Sequence, residues 1–147
     1  MEDTIKVQYR RESDDVHVLS PGSPALPEIR IDYAGIPEDQ RAGTATRLLC
    51  AAALYCQAAT LGAALTSRKA KVKTLTGEAV PERGRDERGR SKVSKITIKM
   101  QVEVGAADQA VLNKCRLIMR SGCLITNSLS DGIATEYTIE QTGEQVQ

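Results

Sequence analysis

Four cysteines, Cys50, Cys56, Cys115 and Cys123, are the reactive side chains that stand out in this sequence. A thiol can attack an electrophile, cycle through oxidised states, ligate a soft metal or sit inert in a core. The start Met1-Glu2-Asp3-Thr4 is acidic where a signal peptide would be basic and then apolar, so the expected setting is cytoplasmic. In a reducing compartment an even cysteine count does not imply structural disulfides. Zinc is disfavoured because neither Cys50 and Cys56 nor Cys115 and Cys123 have CxxC spacing, and the single histidine, His17, is remote from both pairs. A lone histidine at a strand end reads as a surface residue rather than a catalytic base.

Other chemistries find little support. No glycine-rich phosphate-binding pattern follows a strand, and no cofactor or metal is expected. Lys and Arg number 20 against 19 Asp and Glu, a balance that argues against nucleic acid or an anionic membrane as partner. Aromatic residues make up 3% of the chain, too few for base-stacking platforms. Arg83, Arg85, Arg88 and Arg90 alternate with Glu82, Asp86 and Glu87, which reads as a solvated hairpin tip. No unbroken apolar run reaches the ~18 residues of a membrane span.

The elements that must position the cysteines follow from periodicity. Ile5, Val7 and Tyr9 alternate with polar residues, Val16-His17-Val18 forms a return strand, and Ile29, Ile31 and Tyr33 form a third. These N-terminal strands occupy 1–33. An Ala- and Leu-rich stretch free of proline, 44–67, predicts a helix capped by Thr44 or Thr46 and carrying Cys50 and Cys56. It is apolar nearly all round, so burial on most sides and an isologous homodimer are expected. A β-hairpin spans 69–104: a strand ending at Val80, the charged tip from Pro81 to Arg90, and a strand in which Ile96, Ile98, Met100, Val102 and Val104 alternate with polar residues. A second helix over 107–121 places Val111, Cys115 and Ile118 on one stripe. Cys123 follows it, then a Ser/Asp/Gly turn and a last strand, 132–141, with Ile133, Thr135, Tyr137 and Ile139 on one face. The order predicts a single α+β domain. Cys50 and Cys115 fit a core role.

Two segments carry a family resemblance: Leu48-Leu49-Cys50-Ala51-Ala52-Ala53-Leu54-Tyr55-Cys56 inside the long helix, and Ser121-Gly122-Cys123-Leu124-Ile125 after the second. With the 67 positions between Cys56 and Cys123 and the order of elements, the chain resembles the OsmC/Ohr family (osmotically inducible and organic hydroperoxide resistance proteins) over about residues 28–141. The resemblance implies antiparallel sheets packed around a long central buried helix in an intertwined homodimer. It also implies a thiol-dependent peroxidase that reduces organic or hydrogen peroxides with Cys56 and Cys123 as catalytic residues and an external thiol as reductant. Two departures stand against it. The Pro-Glu that usually begins the helix is Ala45-Thr46, so the carboxylate that holds an activating arginine is missing, and the usual proline after the second cysteine is Leu124. An arginine would have to come from Arg10, Arg11, Arg30, Arg41 or Arg47. These departures favour an alternative, a member of the same fold without peroxidase activity that binds a small ligand or serves as a disulfide redox sensor.

Overall fold

The computed structural model describes residues 4–143. The chain forms two compact units, one ending at Thr44 and the other beginning at Ala45.

The first unit is an antiparallel meander of β1 (Gln8–Arg11), β2 (Val16–Ser20) and β3 (Ile29–Asp32), in the order β1-β2-β3. β3 alternates between half-buried and exposed residues, whereas β1 is exposed throughout. Val18 is buried, and the exposed face carries an ion lattice in which Arg10 bonds Glu12 and Glu28 while Arg30 bonds Glu12. These arginines hold Glu12 and Glu28 below the usual carboxylate range, Arg30 being the main cause for Glu12 and Arg10 for Glu28. His17 lies within β2, its Nδ1 2.8 Å from the Tyr9 hydroxyl.

The second unit opens with α1 (Thr44–Ser67), the helix expected at these bounds. Its 18 most apolar residues, within the helical stretch Glu38–Ser67, average a hydropathy of 1.7, enough by length and composition to cross a membrane. That refines the absence of an unbroken apolar run: alanines and cysteines supply the apolarity between polar residues. Four residues, Cys50, Ala53, Leu61 and Leu65, are buried, whereas Tyr55 is 75% exposed. Within this chain, then, α1 buries one stripe rather than its whole circumference. The helix stops on Lys69, a non-glycine residue at φ 62°, where the Ala70 N–H returns to the Leu65 carbonyl.

A two-stranded ribbon follows, β4 (Val72–Arg85) paired antiparallel with β5 (Ser91–Val104). It runs further than expected. Pro81 does not end the strand but pairs with Ile96, because in a two-stranded ribbon both strands are edges and a missing N–H can face outward. A bulge between Glu82 and Arg83 follows it. The tip shrinks to residues 86–90, closed by Asp86, whose carboxylate accepts the Arg88 and Arg90 N–H groups and Arg90 Nε.

The core of this unit joins Leu61 and Leu65 of α1 and Ala70 to Leu112 and Cys115 of α2 (Gln109–Ile118), with Met100, Val102 and Val104 of β5 packed against them. Short 3-10 turns, Ala106–Asp108 and Met119–Ser121, flank α2 and together with it fill the span read as one helix. Gly77 lets α1 approach the ribbon: a Cβ there would sit 3.0 Å from the Lys99 carbonyl and 3.1 Å from Leu54 Cδ1.

Two expectations fail after Cys123. The Ser/Asp/Gly turn is a helix, α3 (Leu124–Asp131), and 132–141 forms no strand. Ile133, Tyr137 and Ile139 are exposed at 61%, 85% and 93%. Alternation states that one face seeks burial, but a strand also needs an edge to pair with.

The fold class is as expected: α+β, with antiparallel sheets and helices.

Candidate functional site

Cys50 and Cys56 share α1 but face different surroundings, since six residues along a helix rotate a side chain by about 120°. Cys50 is buried and Cys56 half-buried. Cys115 is fully enclosed in the core between Leu112 and Leu65, and Cys123 is 5% exposed. All four thiols are free. Of the candidates, Cys56 is the one near Cys123, where it favours the Cys123 thiolate.

Local backbone chemistry sets the position of Cys123. Gly122 adopts φ 74°, and a Cβ there would collide with Asn127 Oδ1. Asn127 Nδ2 in turn donates to the Ser121 carbonyl at 3.0 Å. The chain leaves this turn extended at Cys123, φ −128° and ψ 172°, and Cys123 becomes the N-cap of α3. A reciprocal cap forms, in which the Thr126 N–H faces the Cys123 side chain and the Cys123 N–H donates to Thr126 Oγ1 at 3.0 Å. Thr126 Oγ1 also lies 3.2 Å from Cys123 Sγ and 3.3 Å from the Cys123 carbonyl.

The sulfur therefore sits where unpaired N–H groups and the positive end of a helix dipole converge. Burial, the largest single influence, works against ionisation. The Cys56 thiol, the Thr126 hydroxyl and the N–H groups of Thr126 and Ile125 together outweigh it, and the Cys123 pKa falls below the ordinary thiol value.

Sequence reasoning missed Thr126 and α3. The signal was present in the Cys123-x-x-Thr126 spacing of a capping box, ending at Gly132, but cysteine is an unusual cap and the Ser/Asp content suggested a turn.

The arginines proposed as activators are engaged elsewhere. Arg10 and Arg30 belong to the ion lattice, Arg11 pairs with Asp14, and Arg41 pairs with Asp15 while stacking over Tyr33. Arg47 is exposed on α1 nine residues before Cys56, which at ~1.5 Å per residue is about 13 Å along the helix. Gln57, next to Cys56, has a buried Oε1 with no hydrogen-bond partner among the described residues. No three side chains of His, Cys, Asp or Glu converge among the described residues as they would to hold a metal ion.

A separate open cleft of about 450 Å³ lies between α1, β5 and α2. Leu61, Met100, Val102, Leu112 and Met119 form its apolar walls, and Arg116 and Gln101 supply its polar groups. Neither thiol of the pair lines it.

The OsmC-like protein family matches residues 38–138, more than two thirds of the chain, including both thiols. No curated protein sequence matches. Solved structures share the fold at low identity. An OsmC-like protein of unknown function from Vibrio cholerae is 16% identical, with a TM-score of 0.67 over 86% of this chain and 94% of that one. An OsmC-like protein from Mycoplasma pneumoniae is 14% identical, with a TM-score of 0.66 over 88% and 89%. An organic hydroperoxide resistance protein from Elizabethkingia anophelis, with thiocyanate bound, is 17% identical, with a TM-score of 0.55 over 87% and 89%. A family match of this extent, over a structure whose elements align with those of OsmC-like proteins, places the chain in the OsmC-like protein family.

Proposed function

We propose that the whole chain works as one OsmC-like domain, a thiol-dependent peroxidase reducing organic or hydrogen peroxides through Cys56 and Cys123 in cytoplasmic oxidative stress defence. The observation that carries this reading is the adjacency of two free thiols, one held toward its thiolate form. Cys56, the more accessible of the two, attacks the terminal peroxide oxygen, and the O–O bond breaks. The Cys56 proton passes through the Cys123 sulfur to the departing alkoxide, leaving an alcohol and a Cys56 sulfenic acid. Cys123 thiolate then attacks Cys56 Sγ and expels hydroxide, which takes a solvent proton to become water. Two thiols of an external reductant reopen the disulfide.

The reading includes a homodimer. Ala52, Tyr55, Ala59 and Ala63 form an exposed apolar stripe along α1, which a partner chain would cover. The test is peroxide treatment followed by mass spectrometry of tryptic peptides. A Cys56–Cys123 disulfide is expected, with Cys50 and Cys115 still reduced. Cys56→Ser should abolish peroxide consumption, and Cys123→Ser should leave Cys56 to over-oxidise. A Cys50–Cys56 or Cys115–Cys123 bond, or four reduced thiols, would sink the proposal.

A second reading, an inactive member that binds a small ligand or senses redox state, draws on two observations. Ala45-Thr46 stands where the family's Pro-Glu begins the helix, and the cleft beside Arg116 has an apolar lining. Unchanged thiols after peroxide, together with a fatty-acid probe binding at the cleft, would favour its ligand-binding form, and reversible disulfide formation without peroxide turnover would favour the sensor.

A further inference from the structure

We infer that a Cys56–Cys123 disulfide opens with fixed polarity: an external thiolate attacks Cys56 Sγ, and Cys123 leaves as a thiolate into the seat formed by Thr126 Oγ1 and the first N–H groups of α3. The inference rests on the redox pairing proposed above, and adds to it the direction of the reductive half-cycle and a positioning role for Thr126.

The argument begins with access. Thiol–disulfide exchange is an in-line displacement, so the reductant must approach one sulfur from the side opposite the other. Cys56 is half-buried, whereas Cys123 is 5% exposed and closed in by its own cap. Stability of the leaving group points the same way. In exchange, the sulfur with the lower thiol pKa departs faster. The reduced structure shows the site into which Cys123 would depart, with the Thr126 hydroxyl 3.2 Å from the sulfur and the Thr126 N–H turned toward it. A sulfur gaining negative charge becomes the strongest acceptor near that hydroxyl, and draws its proton away from the Cys123 carbonyl at 3.3 Å. Gly122 and Asn127 fix the backbone that carries the sulfur.

The step balances. The reductant's thiolate pair forms a new S–S bond to Cys56, the Cys56–Cys123 bond breaks, and its electron pair stays on Cys123. A second reductant thiolate then displaces Cys56, which takes a proton from solvent, and the reductant is released as its disulfide. Thr126 exchanges no atoms. It orients a hydrogen bond.

The experiment uses no peroxide. Full-length protein is oxidised with diamide, treated briefly with 2-mercaptoethanol, quenched with iodoacetamide and mapped by mass spectrometry. The expected trapped species carries 2-mercaptoethanol on Cys56 and carbamidomethyl on Cys123. Thr126→Val should slow ring opening by about three-fold for each unit by which the Cys123 pKa rises, and should shift the pH profile of Cys123 alkylation upward. Thr126→Ser should restore both. An adduct on Cys123, or a Thr126→Val protein that opens at the wild-type rate with an unchanged alkylation profile, overturns the inference and leaves the pairing standing. If diamide forms no Cys56–Cys123 bond, both fall. An adduct on Cys56 in a protein that consumes no peroxide supports the polarity and removes the peroxidase reading. If Thr126→Val does not fold, the adduct site on the wild type decides.

Discussion

At the residue scale, thiol identity was legible and thiol environment was not. The family resemblance singled out Cys56 and Cys123, and it directed attention to activating Cys56 with an arginine. The structure instead gathers its hydrogen-bond donors around Cys123, through a hydroxyl three residues on and a helix that composition disguised. The lowered Cys123 pKa has a stability consequence whose sign is fixed. A depressed folded-state pKa adds stability that is complete above the unfolded thiol's value and is lost as pH falls through the folded value. The melting-temperature gap between wild type and Cys123→Ser should therefore widen in favour of the wild type from about pH 6 to about pH 9.5. A gap that narrows over that range would mean the thiolate is not favoured by folding. Cys115, with no exposed surface, should resist iodoacetamide under native conditions long after Cys123 has reacted.

Among the elements, periodicity served best where one chain satisfies its own pattern. The bounds of α1 came from an Ala- and Leu-rich run without breakers, and β5 from its alternation of Ile, Met and Val with polar residues. Pro81 misled because a breaker rule holds for central strands and β4 is an edge. The 132–141 segment misled because alternation says only that one face seeks burial, and the segment pairs with none of the described strands. Two substitutions test the element ends. Gly122→Ala meets both a left-handed φ and Asn127, and should cost about 2 kcal/mol or more in urea unfolding while raising the Cys123 pKa through a displaced cap. Lys69→Gly should act in the opposite direction. It relieves a non-glycine residue at φ 62° at the end of α1 and should add up to about 1 kcal/mol.

For the whole molecule, the apolar circumference of α1 was legible, but what covers it was not, because a sequence does not say whether a surface is met by its own chain or by another. The proposed dimer makes this testable. Tyr55→Arg should convert the dimer to monomer in sedimentation at micromolar concentration while leaving helical circular dichroism unchanged. A stable wild-type monomer would remove the dimer from the proposal. The sheet topology carries a kinetic consequence. Among the described residues, every strand pairing is between sequence neighbours, β1 with β2, β2 with β3, β4 with β5, and none crosses over. Closing such short loops costs little chain entropy, so both sheets have low contact order and should zip within milliseconds of dilution from denaturant. Association into the proposed dimer would then be the slow event. Refolding monitored by β-sheet infrared absorption should be fast and independent of protein concentration, whereas recovery of the proposed dimer, followed by light scattering, should accelerate as concentration rises.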